Sequence, residues 1–325
     1  MPVNISRRRM IRISAAAAGL ALVPLDRPAR SDTACLVTWR GTALGALASM
    51  CVHHTSRAEA ERSIERALAE VRRLERIFSL YQEESALVAL NRRGVLEAPP
   101  SELVELLTEC RKYAELTDGA FDPTVQPLWR LFAEHFSQAE ADPAGPSQAG
   151  VDNALGRVGH QHLIFDRNWV VLARPGMGLT LKGIAQGYIT DRVVDLLRAN
   201  GIEQSLVDMG EIRALGAHPE GRAWTVAITD PAGPGQVLRT AEIVNQAVAT
   251  SAGVAFQFDP HGRFNHIFHP RTGACARLHR SVTLIMPTAT AADALSTAFS
   301  LMPVEAAELV LAKAHAGPAY FEPPS

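Results

Sequence analysis

Thr180-Leu-Lys-Gly-Ile-Ala-Gln-Gly-Tyr188 is followed about a hundred residues later by Ala292-Asp293-Ala-Leu-Ser-Thr297, and the two stretches read together as the walls of one site. The Ala-rich run after Thr290 predicts a helix over 293–301, on which residues four apart project from the same face. Asp293 and Thr297 then present a carboxylate and a hydroxyl side by side. Oxygen ligands of that kind suit Mg²⁺, which takes one or two carboxylates and leaves its remaining positions to water and phosphates. Alone, Asp-x-x-x-Thr on such a helix is an ordinary helix face; its meaning depends on the segments around it.

Working outward, Gly178 to Leu181 leads into a helix predicted from about Ile184 to Ala199, closed by Asn200-Gly201 in the manner of a C-cap. Leu36 to His53 reads as opening strands broken by a turn. Ile64, Leu68, Val71, Leu74 and Phe78 recur at three- and four-residue intervals among Glu and Arg, which marks an amphipathic helix from Arg57 to Phe78 with a solvated charged face. A second helix begins at Ser101 and runs to about Thr117, where Asp118-Gly119 breaks it. Between about Ser137 and Gly159 the chain is rich in Ala, Pro, Gly, Asp and Gln without a period, and reads as a surface loop or an excursion between lobes. His162 to Leu172 predicts a hairpin turning at Asp166-Arg-Asn168. Strands follow around 205–209, 224–228, 247–251 and 282–286, and helices at 291–301 and 304–315. Strands and helices mix without a regular βαβ period, so α+β is the expected class and a doubly wound parallel sheet is a poor fit.

A chain of 325 residues, 47% hydrophobic, can bury one large core or two modest ones, which excludes general disorder. Its first thirty residues differ from the rest. Ser6-Arg7-Arg8-Arg9-Met10-Ile11-Arg12 precedes an Ala-rich apolar stretch from Ile13 to Leu25 and reads as a twin-arginine export signal, so residues 1–30 are set apart from a domain over 31–325. The stretch falls short of the roughly 20 apolar residues of a comfortable membrane span; a retained N-terminal anchor is the alternative. Export implies a periplasmic location. Arg-Pro-Ala29 and Asp-Thr-Ala34 are both imperfect cleavage sites, and Asp32 argues against a lipoprotein at Cys35. Removing the segment's six arginines and one aspartate leaves 26 basic and 33 acidic residues. Such an acidic body, without a basic stripe, argues against nucleic acid as a partner. Cys35, Cys51, Cys110 and Cys275 have no C-x-x-C spacing, so disulfides are neither demanded nor excluded.

Four blocks carry a resemblance. Phe121-Asp122-Pro-Thr-Val-Gln-Pro-Leu-Trp129, Lys182-Gly-Ile-Ala-Gln-Gly-Tyr188, His266-Ile-Phe-His-Pro-Arg271-Thr-Gly273 and Ala292-Asp293-Ala-Leu-Ser-Thr297 occur in the order found in the ApbE family of FAD:protein FMN transferases. The likeness runs from about Trp39 to about Tyr320. Gly-Ile-Ala-Gln-Gly-Tyr-Ile-Thr-Asp191 and Asp-Met-Gly-Glu-Ile-Arg213 look most like the NosX branch, which is associated with maturation of nitrous oxide respiration. The resemblance implies two lobes of largely antiparallel sheet backed by helices, with FAD in the cleft between them. It implies Mg²⁺ on Asp293, Thr297 and the Gly183 carbonyl, and His266 as the general base, a role suited to an imidazole because its pKa lies near operating pH. It also places FAD near Tyr81, Ala120, Phe121, Asp122, Thr180, Gln186, Ile267 and Arg271. Asp122 reads equally as an Asp-Pro turn cap, and Arg271 either pairs with phosphate or braces its turn.

The chain departs from the family pattern in four places. Thr180 stands where aspartate is usual, Gln186 where lysine is usual, and Asp208-Met-Gly210-Glu211 is shorter than the usual Asn-x-Gly-Gly-Asp. His269 also replaces a usual aspartate. The expected activity is Mg²⁺-dependent transfer of FMN from FAD to a Thr or Ser hydroxyl of a recipient flavoprotein, of the membrane-bound NosR type by analogy, with release of AMP. A non-catalytic flavin carrier and a hydrolase yielding FMN and AMP are the alternatives.

Overall fold

The computed structural model describes residues 20–21, 35–233, 235–314 and 317–324. Apart from Leu20–Ala21, the twin-arginine segment lies outside the described residues, as does the His315 end expected for the last helix. No helix among the described residues is long and apolar enough to cross a membrane.

The fold is α+β, built on antiparallel sheets. After the two-residue strand β1 (Leu20–Ala21), β2 (Cys35–Ala43) and β3 (Ala46–His54) form a long hairpin. Its two-residue turn needs positive φ at both positions, supplied by Leu44 at 55° and Gly45 at 75°. Glu75 holds that turn by accepting from the Leu44 N–H at 3.0 Å. Glu75 belongs to α1 (Arg57–Phe78), capped by Ser56 and buried along Ile64, Ala67, Val71 and Leu74, as the periodicity predicts.

Next come α2 (Ala86–Arg93), β4 (Val95–Glu97) and α3 (Ser101–Leu116), then α4 (Gln126–Phe136), α5 (Gln148–Leu155) and the β5 (Leu163–Phe165) to β6 (Trp169–Leu172) hairpin. The stretch 137–159, expected to be irregular, holds α5 because Ser147 caps it and Val151 and Leu155 turn onto an aromatic cluster from distant segments. Then follow α6 (Ala185–Ala199), β7 (Gln204–Asp208), β8 (Ile212–Leu215), β9 (Trp224–Thr229), β10 (Val237–Ile243), β11 (Ala247–Ser251), β12 (Ser281–Met286), α7 (Ala289–Phe299), α8 (Val304–Ala314) and β13 (Ala319–Glu322).

Seven strands pair antiparallel in the order β13-β12-β11-β8-β7-β3-β2; two three-stranded sheets, β1-β9-β10 and β4-β6-β5, complete the set. The large sheet is covered on both faces, so every residue of β12 is buried. Successive side chains alternate across it. Val207, Ala249, Leu284 and Met286 enter the core beneath α1, α6 and α7, while Leu206, Val248 and Ile285 pack with Trp224, Val226 and Ile228 of the small sheet. A separate aromatic cluster of Trp129, Phe132, Phe136, Phe256, Phe258, Phe264 and Phe268 forms the core of the other lobe. Cys110 is buried in the main core, and the described cysteines form no disulfide.

Candidate active site

Two helices meet through glycine. α6 and α7 run against each other so closely that a Cβ on Gly187 would lie 2.3 Å from the Ala289 carbonyl oxygen, and one on Gly183 would lie 2.8 Å from Thr297 Oγ1. Only glycine permits that approach. The Gly187 N–H consequently donates to Asp293 Oδ2 at 3.0 Å. Asp191 secures the start of α7: its carboxylate accepts from Ala289 N–H at 2.8 Å, Thr290 N–H at 2.9 Å and Thr290 Oγ1 at 2.6 Å. Arg213 of β8 pairs with the same group at 2.7 Å.

This seam lines a cavity of about 500 Å³. Asp293 is 4% exposed, and burial first, then the charge of Asp191, push its pKa up to about 7 against the opposing Gly187 bond. Glu211, equally buried, has Oε2 without a partner, and burial together with Asp293 and Asp208 lifts it well above the carboxylate range. Burial also pushes Asp208 up to about 7. Ser251 Oγ lies 2.8 Å from Ser296 Oγ and 3.3 Å from Thr297 Oγ1.

No ion pair reaches Asp293, Asp208 or Glu211 among the described residues. Buried carboxylates with an orphaned oxygen, beside a threonine hydroxyl, fit a small hard cation. No three His, Cys, Asp or Glu among the described residues are grouped to hold a metal by themselves. A cation here would draw on hydroxyl and carbonyl oxygen, the donors that Thr297 and Gly183 supply.

His266 lines the same cavity from the aromatic lobe. Its Nδ1 lies 3.2 Å from the Phe256 carbonyl oxygen, an acceptor only, so Nδ1 carries the hydrogen and Nε2 the lone pair. Burial, with Lys182 nearby, pushes its pKa down to about 4 and keeps the ring neutral. Asn265 braces this segment, donating to the Ala276 carbonyl at 2.8 Å and accepting from Ile267 N–H at 3.0 Å.

Tyr81, Ala120, Phe121, Asp122, Thr180, Gln186 and Ile267 all line the cavity, as do Gly183, Asp293, Thr297 and His266. Two expectations change in detail. The Asp122 carboxylate is taken up within the chain, accepting from Thr124 N–H at 2.8 Å, Thr124 Oγ1 at 2.6 Å and His160 N–H at 2.9 Å, which is the turn-cap arrangement. Arg271 stands outside the cavity lining and donates to Asp118 Oδ2 at 2.6 Å, bracing its turn. Lys182 and Glu211 are cavity residues to which sequence reasoning assigned no role. An acid after Gly210 and directly before the strand-like Ile212-Arg-Ala-Leu run was the available signal for Glu211.

The ApbE family model matches residues 42–321, and the chain belongs to that family. Among curated relatives, an FAD:protein FMN transferase of Treponema pallidum is 33% identical over 263 residues, covering 74% of this chain and 71% of the relative. The Escherichia coli K12 protein of the same description is 26% identical over 313 residues, covering 92% and 89%. The crystal structure of the ApbE protein from Thermotoga maritima superposes with a TM-score of 0.76 at 30% identity, covering 89% of this chain and 97% of the other. The apo form of the Pseudomonas stutzeri flavinyl transferase ApbE gives 0.74 at 25% identity, covering 90% and 94%.

Proposed function

We propose that this chain is an enzyme, an FAD:protein FMN transferase, which joins the FMN half of FAD through its phosphate to a Thr or Ser hydroxyl of a recipient flavoprotein. The observation that carries this reading is the convergence on one cavity of a neutral imidazole from one lobe and an unpaired carboxylate–hydroxyl set from the other.

The hydroxyl oxygen attacks the phosphorus of the FMN half. A new P–O bond forms, the bond to the AMP phosphate breaks, and AMP leaves with the electron pair. His266 Nε2 is the lone pair suited to take the hydroxyl proton, because the Phe256 carbonyl holds the other nitrogen protonated. Asp293, Thr297 and the Gly183 carbonyl would hold Mg²⁺, with Glu211 nearby as an additional acid. Bound there, the cation would neutralise charge on the pyrophosphate and its leaving group. The Gly187 N–H orients the Asp293 carboxylate, and Ser251 orients the Thr297 hydroxyl. Tyr81, Phe121 and Ile267 offer apolar surface for the flavin, and Gln186 offers a neutral donor.

The export signal read over residues 1–30 supports a periplasmic site of action, where the recipient would be a flavoprotein facing that compartment. The Gly-Ile-Ala-Gln-Gly-Tyr-Ile-Thr-Asp191 and Asp208-Met-Gly-Glu-Ile-Arg213 segments support placement in the NosX branch, with a NosR-type recipient in nitrous oxide respiration. Incubation of the purified protein with FAD, Mg²⁺ and a recipient fragment tests the reading. Flavin fluorescence retained on the denatured recipient is expected. Free FMN and AMP would mark a hydrolase, and unchanged FAD would mark a carrier.

A further inference from the structure

On one wall of the cavity stand two buried hydrogen-bond donors with nothing to donate to. Lys182 Nζ and Trp129 Nε1 are both closed to solvent and both without a partner. The ammonium lies 4.8 Å from the centroid of the Trp129 ring and 5.1 Å from that of Tyr81. Leaving a buried donor unsatisfied is costly, and more so for a charged one. Both side chains line the cavity, so a ligand rich in acceptors would satisfy donors that the chain leaves empty.

Charge points the same way. Lys182 is the single Lys or Arg among the described residues lining the cavity, where Glu75, Asp122, Glu211 and Asp293 also lie. None of those acids pairs with it. Glu75 is engaged by the Leu44 N–H and Asp122 by Thr124 and His160. The Tyr81 and Trp129 rings attract the ammonium without neutralising it, so an incoming anion need displace no carboxylate. The Trp129 ring is itself fixed, stacked on Phe256 at 6.3 Å and edge-on to Phe258 at 5.7 Å.

We propose that Lys182 and Trp129 form the anion-receiving wall of this cavity and together donate to phosphate oxygens of the flavin nucleotide. The proposal rests on the transferase reading and deepens it. The seam across the cavity is acidic, so a nucleotide entering before any cation meets its one basic side chain at Lys182, whose pKa burial pulls down to about 7. Charge-assisted bonds of the ammonium supply most of the grip, and the neutral indole N–H supplies direction.

Equilibrium binding of FAD, FMN and riboflavin, followed by flavin fluorescence without divalent cations, tests this in the full chain. Lys182→Gln should weaken FAD and FMN about 10- to 100-fold while riboflavin, which lacks phosphate, changes less than about 2-fold. Trp129→Phe should weaken the two nucleotides about 2- to 10-fold, and Lys182→Arg should hold them within a few-fold of the parent. The melting temperature of Lys182→Gln should not fall, since the substitution removes a buried amine that has no partner. Equal weakening of riboflavin and FAD, or no weakening of either, overturns the wall. A parent protein that binds riboflavin but neither nucleotide also overturns it. Intact nucleotide preference without any transfer to a recipient would sink the transferase reading and leave the wall standing.

Discussion

The two sides of the cavity are built by opposite means. On the α6–α7 side, glycine and alanine bring backbones into contact, and Asp293 is placed by a main-chain N–H at 3.0 Å. On the other side, His266 sits in an irregular segment whose isolated bridges, Gln257 to Asn265 and Phe268 to Cys275, give little regular pairing. Aromatic mass does the positioning there: Phe132 lies 4.9 Å from Phe268, 5.5 Å from Phe264 and 5.9 Å from Phe258, centroid to centroid. A carboxylate held by close backbone contact fails when atoms are added. An imidazole held by packed rings fails when atoms are taken away.

The contrast can be broken most directly at Asp293. Asp293→Ala should reduce cation-dependent transfer below detection; activity preserved at saturating FAD would remove this side from the chemistry altogether. His266→Asn comes next, with FAD affinity largely kept and transfer slowed about 10²- to 10⁴-fold. In the parent, at divalent cation concentrations high enough to hold Asp293 ionised, the acid limb of kcat/KM should lie near pH 4, because the folded His266 value of about 4 sits below the ordinary 6.5. The same shift makes folding favour the neutral ring. That contribution is complete above pH 6.5 and is lost as pH falls toward 4, so the melting temperature of the parent should fall relative to that of His266→Asn over this range. A limb at 6.5 would show a solvated imidazole and weaken the case for aromatic enclosure.

Phe132→Ala removes a ring that is 4% exposed and should cost about 3–5 kcal/mol in denaturant unfolding. Gly187→Ala, the smallest expected effect, sets overpacking of about 1–3 kcal/mol against about 1 kcal/mol of improved helix propensity. Net destabilisation of up to about 2 kcal/mol, with weakened divalent-cation affinity in a direct titration, is the expected outcome. A stabilised Gly187→Ala protein would show that the seam is not close-packed, and the comparison would lose its sharper half.

Legibility in the sequence follows the same division. The α1 boundaries, Arg57–Phe78, agree with the predicted ones because the apolar spacing and the Ser56 cap are local signals. The end of α6 was equally readable from Asn200-Gly201, with Gly201 at φ 83°. Asp293 and Thr297 were legible as a pair because four-residue spacing on a helix needs no knowledge of the rest of the chain. By contrast α4 and α5 went unread. Their apolar faces pack with residues 256–268. α4 does repeat apolar residues at Leu128, Phe132 and Phe136, but over 11 residues opening on Gln126-Pro127, and the 8-residue α5 repeats its spacing once, at Val151 and Leu155. Strand β10 was missed for another reason: it pairs with β9 alone, at the edge, and buries only Ala241 and Ile243. Lys182 could be read as part of a motif, yet its isolation from any carboxylate appears only once the cavity is closed around it.

Asp191 grips both the first turn of α7 and Arg213, within one turn of Gly187. The spacing between the glycine and Asp293 is therefore clamped locally, with Arg213 the one member of the clamp drawn from the 89 residues, 200–288, between the two helices. Remodelling is therefore best directed to turns outside that clamp. The tight turn from His218 to Arg222, closed by Gly221 at φ 81°, is a natural port for a fluorescent reporter or a tether to a surface.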